Sequence, residues 1–334
     1  MPDMERLEKI LGKDNIRTKE PLSKHTTFRI GGPADVFVTP DTLERFEDTL
    51  SYLRREGEAY FILGNGSNLL VSDRGFPGVI VATHVPGRGS IHAEGFGIEE
   101  YMEGTREETQ ALLESILGQH TVLKAEEGRH IVAAGSGILL STLANGIAGK
   151  GYRGFEFAAG IPGTLGGAVT MNAGAYGGEV GDVLLGAVVL LKDGEKRFLT
   201  TAELELGYRS SLVQKEDMIV LLAVFVFDEG NPEEIRQTIQ ELNRKRKEKQ
   251  PLNYGSAGST FKRPEGYFAG KLIEDAGLKG YRVGDVMVSE KHAGFVVNVG
   301  EGTCEQALSV IRHVREQVKE RFGVDLEPEV KILA

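Results

Sequence analysis

The chain has 334 residues, enough for two or three compact units. Its net charge of -10, from 39 Lys and Arg against 49 Asp and Glu, argues against a general nucleic-acid binder, which needs a positive field. The single cysteine, Cys304, excludes an internal disulfide framework, and with it the need for an oxidising compartment.

The first residues, through Asp14, are charged and lack an apolar signal core. The longest apolar run, Met218 to Phe227, falls far short of the roughly 20 residues that span a bilayer. A soluble, cytoplasmic protein is expected. The seven histidines are scattered with no Cys/His spacing for a metal. Without a metal, a Cys-His pair or a Ser-His-Asp set, demanding chemistry would need an organic cofactor.

The spacing of Leu43, Phe46, Leu50 and Leu53 predicts a helix over 41–57, capped by Asp41 and stopped by Gly57. A strand over Ala59–Leu63 then enters the loop Gly64, Asn65, Gly66, Ser67, Asn68, with short strands over 69–71 and 78–82. Together 34–83 reads as a small α/β module. The segment 85–125 is rich in Gly and Glu, with a helix predicted near 105–117. Glycines cluster again at 135–137 and over 160–178.

A hairpin is predicted over 187–199 about Asp193-Gly194, and the Met218–Phe227 run reads as a buried strand. Asn231, Pro232, Glu233 and Glu234 start a helix with Ile235, Ile239 and Leu242 on its apolar stripe. That helix ends in the basic run 244–249 before Pro251. Another helix is predicted from 305 to 322, with Leu308, Ile311, Val314, Val318 and Phe322 on one side and Gly323 as its stop. A last strand is predicted over 327–333. Boundaries near 84 and 228 divide the chain into 1–84, 85–228 and 229–324, with the strand in 325–334 returning to the first part.

A glycine loop after a strand can turn its backbone N–H groups onto a phosphate, which a side chain would obstruct. The loop 64–68 has this placement, though Leu69 stands where a dinucleotide fingerprint needs a third glycine. A plain strand-to-strand turn is the alternative. The denser cluster, Gly160 to Gly167 and Asn172 to Gly178, lets the backbone lie against an extended ligand. Close helix–sheet packing would also demand glycine there.

Seven segments taken together resemble the UDP-N-acetylenolpyruvoylglucosamine reductase (UDP-N-acetylmuramate dehydrogenase) family. They are HTTFRIGG at 25–32, LGNGSNL at 63–69, GIPGTLGG at 160–167, NAGAYG at 172–177, GYRSS at 207–211, SAGSTFKRP at 256–264 and LEPEV at 326–330. They keep the family's order across nearly the whole chain. The resemblance implies an α+β chain: a two-subdomain FAD-binding region of the vanillyl-alcohol-oxidase (PCMH) type, followed by an α+β substrate-binding domain.

It further implies non-covalent FAD, with Gly64, Asn65, Gly66, Ser67 and Asn68 at the pyrophosphate. Ile161, Pro162, Gly163, Thr164, Gly166, Gly167, Gly174, Ala175 and Tyr176 would line the cofactor. NADPH is the implied hydride donor, and the enolpyruvyl ether of UDP-N-acetylglucosamine the acceptor. Hydride goes to C3 and a proton to C2. Arg209, Ser259 and Glu329 carry over as catalytic residues. Tyr208 and Lys249 carry over toward the substrate, with Lys262 and Arg263 as alternatives to Lys249 for its diphosphate. A monomer is implied.

Only about twenty residues separate Arg209 from Asn231, too few for the substrate-covering tyrosine loop that one branch of the family carries, so the shorter second type is the better match. The 85–125 segment, with Glu94, Glu99, Glu100, Glu103, Glu107, Glu108 and Glu114, reads as an insertion: a surface appendage, or a lid or partner surface. Two rival readings remain: another FAD-dependent oxidase of the same fold, and an inactive nucleotide-sugar binder.

Overall fold

The computed structural model describes residues 2–85, 89–90 and 129–333. The expected insertion at 85–125 and its helix near 105–117 lie almost entirely outside the described residues. The chain divides into two compact units. One comprises Met1–Val38, Leu53–Ala82 and Lys245–Ala334; the other comprises Thr39–Tyr52 and Thr83–Arg244.

The first unit holds a four-stranded sheet in the order Ile16–Pro21, Pro33–Val38, Phe76–Ala82, Tyr60–Leu63. Its first pair is antiparallel and the other two are parallel. The short strand Leu69–Val71 pairs in parallel with Lys331–Leu333, Leu69 opposite Lys331. A second, antiparallel sheet runs Gly255–Ser256, Val296–Asn298, Val286–Val288, Arg282–Val283.

Two helices, Ala269–Asp275 and Cys304–Phe322, bury Leu272, Ile273, Val310, Val314 and Val318 in one core with Val286, Val288 and Val296. Phe28, Ile30 and Leu70 join that core, so the loops at the start of the chain are packed on its last third. Each such side chain contributes about 1.5–3 kcal/mol on burial.

The Cys304–Phe322 helix is fixed at both ends. Thr303 and Gln306 form a capping box, the Asp73 carboxylate accepts the N–H groups of Cys304 (2.7 Å) and Glu305 (3.0 Å), and Gly323 closes it at φ +70°. Its buried stripe is Ala307, Val310, Ile311, Val314 and Val318; Leu308 is only half-buried and Phe322 is exposed. The stripe expected through Leu308 and Phe322 is therefore turned by about one position.

The second unit is built on an antiparallel sheet in the order Lys196–Thr200, Leu184–Leu190, Ile219–Glu229, Arg129–Gly135. Ile219–Glu229 lies between two strands and is covered on both faces, which explains its unbroken apolar run. Phe155, Phe157, Phe225 and Phe227 form an aromatic cluster with centroids 5.4–5.8 Å apart. The helix Leu140–Gly149 adds Leu140, Leu143 and Ile147 to the same core.

Two local expectations need correction. The first long helix spans Leu43–Arg55, and Thr42, not Asp41, caps it: the Thr42 hydroxyl accepts the Arg45 N–H at 3.2 Å. Asp41 instead pairs with the Arg45 guanidinium at 2.8 Å. The last strand is limited to Lys331–Leu333, because Leu69–Val71, its partner, has only three residues to offer.

Candidate active site

Arg209 lies in the second unit, in a tight turn closed by Gly207 N–H to Ser210 O (3.0 Å) and Ser210 N–H to Gly207 O (3.2 Å). It takes the second central place at φ +54°, a position that turns usually give to glycine or asparagine. A non-glycine residue held there costs of order 1–3 kcal/mol and marks a place where the surroundings over-determine the backbone. One guanidinium nitrogen, Nη2, donates to the Gly174 carbonyl at 3.1 Å. Tyr208, the other turn residue, is exposed.

Gly174 opens a two-residue hairpin, Gly174–Ala175 against Gly178–Glu179. Its central residues, Tyr176 (φ +54°) and Gly177 (φ +93°), both have positive φ, as a type I′ turn requires. The structure thus brings Arg209 against the hairpin of Gly174, Ala175 and Tyr176.

The packing explanation of the glycine cluster accounts for part of it. A Cβ on Gly166 would stand 2.9 Å from the Ser136 Cβ, on Gly174 2.6 Å from the Gly178 carbonyl, and on Gly178 2.5 Å from the Phe157 ring. Gly167 is different. It is exposed, and a Cβ there would meet nothing closer than Thr164 Oγ1 at 3.6 Å. Among the described residues, the N–H groups of Gly163 and Gly167 have no hydrogen-bond acceptor. Bare N–H groups beside a glycine that internal packing does not require fit a phosphate-bearing ligand. Ile161 is half-buried, Pro162 exposed and Thr164 buried along the same stretch.

In the first unit, the loop 64–68 is wedged under the segment 25–27. A Cβ on Gly66 would lie 2.2 Å from the His25 carbonyl, and Gly66 has φ +58°. The Gly66 carbonyl accepts the Thr27 N–H at 3.1 Å. Gly66 is buried, yet its own N–H and that of Ser67 find no acceptor among the described residues. A buried, unanswered donor is rare in a folded protein, and an anion would answer it.

Asn68 continues the loop toward Glu329: its Nδ2 donates to the Glu329 carbonyl at 3.1 Å, and Lys331 N–H donates back to the Asn68 carbonyl at 3.1 Å. On its other side Glu329 N–H donates to the Thr260 carbonyl at 2.8 Å, and Lys262 N–H to the Glu327 carbonyl at 2.8 Å. Glu329 is therefore bracketed by the 64–68 loop and the segment 260–262 that follows Ser259. Ser259 is exposed, and its hydroxyl makes no hydrogen bond among the described residues.

The basic candidates separate. Lys262 is committed to Glu327, Nζ to Oε1 at 2.5 Å. Arg263 lays its guanidinium over the exposed Phe268 ring, 4.0 Å from the centroid, with Nε donating to the Tyr267 carbonyl at 3.3 Å. Lys249 is exposed in the last turn of the helix Pro232–Lys249.

Two further residues bear on the site: His292 does not stand out in the sequence, and Asn172 does so only as the first residue of the 172–177 segment. His292 is half-buried; burial, then the charges of Lys279 and Lys249, hold its ring below the ordinary histidine range, against a backbone hydrogen bond and Glu274. Its Nδ1 accepts the Gly294 N–H at 3.2 Å, which puts the neutral ring's proton on Nε2. Asn172 is fully buried at φ +44°. Among the described residues no cluster of His, Cys, Asp and Glu could hold a metal, and no helix is long and apolar enough to cross a membrane.

Comparison with known proteins places these segments. The profile of an FAD binding domain matches residues 108–199, and that of the UDP-N-acetylenolpyruvoylglucosamine reductase C-terminal domain matches 250–333. A UDP-N-acetylenolpyruvoylglucosamine reductase of Lachnoclostridium phytofermentans is 47% identical over 330 residues, 99% of this chain and 96% of the relative. One of Agathobacter rectalis is 48% identical over 314 residues, 94% of this chain and 92% of the relative. The crystal structure of the UDP-N-acetylenolpyruvylglucosamine reductase from Thermus caldophilus, 33% identical, superposes with a TM-score of 0.72 over 96% of this chain and 100% of that one.

Proposed function

The chain belongs to the UDP-N-acetylenolpyruvoylglucosamine reductase family of FAD-dependent oxidoreductases, and from that premise we propose which of its residues carry the reaction. The reaction is the NADPH-dependent reduction of UDP-N-acetylglucosamine enolpyruvate to UDP-N-acetylmuramate, a step of peptidoglycan precursor synthesis. FAD, when bound, would supply the hydride-carrying chemistry of that reaction.

The residues that would hold FAD are Gly64 to Asn68, through the bare N–H groups of Gly66 and Ser67, and Ile161 to Gly167, through those of Gly163 and Gly167. Gly174, Ala175 and Tyr176 add the hairpin beside Arg209.

Hydride addition next to a carboxylate builds negative charge on that carboxylate. A cation fixed there stabilises the transition state more than the ground state. Arg209 does this: its guanidinium stays charged, and the hydrogen bond to the Gly174 carbonyl sets the plane of its fork before substrate arrives. Ser259 delivers the proton to C2, its exposed hydroxyl being open to the substrate. Glu329 orients the carboxylate from the segment bonded to Thr260. Lys249 meets the diphosphate, with Arg263 and Lys262 as the alternatives, Lys262 being engaged by Glu327.

The observation that carries this reading is Arg209 at φ +54° with its guanidinium fastened to the glycine hairpin: strain retained for placement. The enzyme acts in the cytoplasm as a single chain without nucleic acid, in keeping with the acidic charge and the lone Cys304, a buried thiol whose pKa burial and then the charge of Asp73 push up to about 11.

The absorption spectrum of the purified protein tests the reading. Two visible flavin bands should appear, be bleached anaerobically by NADPH and return on adding the enolpyruvyl nucleotide sugar. Bleaching without return would remove this substrate; no flavin after incubation with FAD would remove the cofactor.

A further inference from the structure

Arg209 is held from three directions, and only one of them is its own side chain. Asn172, fully buried, donates from Nδ2 to the Gly207 carbonyl at 3.3 Å and accepts the Gly181 N–H on Oδ1 at 3.0 Å. Gly207 begins the turn that carries Arg209, and Gly181 follows the hairpin that opens at Gly174. One amide therefore ties the arginine's turn to the end of the segment whose beginning receives the arginine's hydrogen bond.

Ser211, also fully buried, closes the other flank: its Oγ donates to the Thr170 carbonyl at 2.6 Å and accepts the Gln214 N–H at 3.2 Å. Asn172 itself sits at φ +44°, a left-handed conformation that asparagine tolerates better than most residues.

We infer that Asn172 is a positioning residue for the reduction step: its side-chain amide holds the Gly207–Ser210 turn in register with the Gly174 hairpin, so that the Arg209 guanidinium is already aimed when the enolpyruvyl carboxylate binds. The inference rests on the reading that Arg209 meets that carboxylate. Asparagine is the residue this job requires. It is small enough for full burial, accepts positive φ, and presents one donor and one acceptor on the same plane to a carbonyl and an N–H. Aspartate would face the Gly207 carbonyl with a second acceptor. Glycine would keep the backbone conformation and lose both bonds.

The two half-reactions separate this role from a general structural one. The FAD-loaded wild type, Asn172→Gly, Asn172→Asp and Arg209→Ala proteins are each reduced with NADPH in a stopped-flow instrument, then mixed with the enolpyruvyl nucleotide sugar. In parallel, calorimetry on the oxidised proteins compares affinity for that sugar with affinity for UDP-N-acetylglucosamine, which lacks the carboxylate.

Both Asn172 variants should be reduced by NADPH within twofold of wild type. Their reaction with the enolpyruvyl sugar should slow about ten- to a hundredfold, the scale of a misplacement near 1 Å, and the affinity advantage of the carboxylate-bearing sugar should shrink. Equal slowing of both half-reactions, an unchanged second half-reaction, or failure of both variants to hold FAD would each overturn the inference. If Arg209→Ala itself leaves the second half-reaction and the affinity advantage at wild-type values, the placement of Arg209 on the carboxylate fails, whatever Asn172 does.

Discussion

The turn carrying Arg209 and the segment carrying Glu329 are secured by different kinds of bond. Around Arg209 the backbone pair of Gly207 and Ser210 closes the turn itself, and side chains tie it to its surroundings: the Asn172 amide on Gly207, the Ser211 hydroxyl on Thr170, and the arginine's own Nη2 on Gly174. Around Glu329 they are mostly backbone: Glu329 N–H to Thr260, Lys262 N–H to Glu327 and Lys331 N–H to Asn68, with the Asn68 amide as the side-chain exception. A ladder distributes its load over several equivalent bonds, so losing one shifts little. A turn at positive φ has no ladder to fall back on, so each latch matters to aim.

The comparison yields predictions of decreasing size. Ser259 is exposed and its hydroxyl makes no hydrogen bond among the described residues, so Ser259→Ala should leave the backbone bond between Thr260 and Glu329 intact and remove only the proton donor. The expected loss in kcat is about 10³-fold, with FAD content and thermal midpoint unchanged; a loss below tenfold would move the acid elsewhere. Arg209→Ala should cost about 10²–10³-fold in kcat. Arg209→Lys should fall in between, because a lysine keeps the charge but not the fork. Equal activity of the Lys variant and the wild type would mean that aim is unimportant and would dissolve the contrast between turn and ladder.

Thr27 supplies the counter-test in the first unit. Its hydroxyl donates to the Ser256 carbonyl at 2.6 Å, while the backbone pair from Ser256 N–H to the Thr27 carbonyl at 3.0 Å persists without it. Thr27→Val should lower stability by about 1 kcal/mol, measured by urea denaturation, and leave kcat within about twofold. A large kcat loss would show that the ladder region is as sensitive as the turn.

The smallest effect concerns acid. Glu20 is partly desolvated, which raises its pKa, but the hydrogen bond from His25 at 2.9 Å and the charges of His25, Arg17 and Lys24 outweigh this and hold it below the ordinary value. A depressed carboxylate contributes stability that is fully present above the ordinary glutamate value of about 4.3 and is lost as pH falls through the folded-state pKa. The stability difference between wild type and Glu20→Gln should therefore shrink as pH drops from 6 toward 3. A difference constant over that range would remove Glu20 from the pH response.

The long elements were legible because each repeats its apolar residues at one period over many turns. Leu43, Phe46, Leu50 and Leu53 lie within Leu43–Arg55, and the apolar run at 218–227 falls within Ile219–Glu229 but for its first residue. The edges were less so. Asp41 and Thr42 are both good caps, and only geometry shows that Thr42 takes the Arg45 N–H while Asp41 takes its guanidinium.

The glycine motifs announced a ligand but not which glycines serve it. Packing explains Gly166, Gly174 and Gly178 without one, and leaves Gly167. The role of Asn172 was hidden for a different reason. Its partners lie 35 and 9 residues away, beyond any local period, and a polar residue inside a glycine-rich run reads as loop. The left-handed Arg209 was equally silent, since turn preferences argue for glycine or asparagine at its place.

The central claim is that Arg209 and Ser259 act on the enolpyruvyl group and not on the earlier transfer from NADPH. Wild-type, Arg209→Ala and Ser259→Ala proteins should be reduced anaerobically with NADPH and mixed with the enolpyruvyl nucleotide sugar while flavin absorbance is followed. All three should bleach at one rate, and in both variants the absorbance should return at least a hundredfold more slowly than in the wild type. Return at the wild-type rate in either variant would contradict the assignment of that residue.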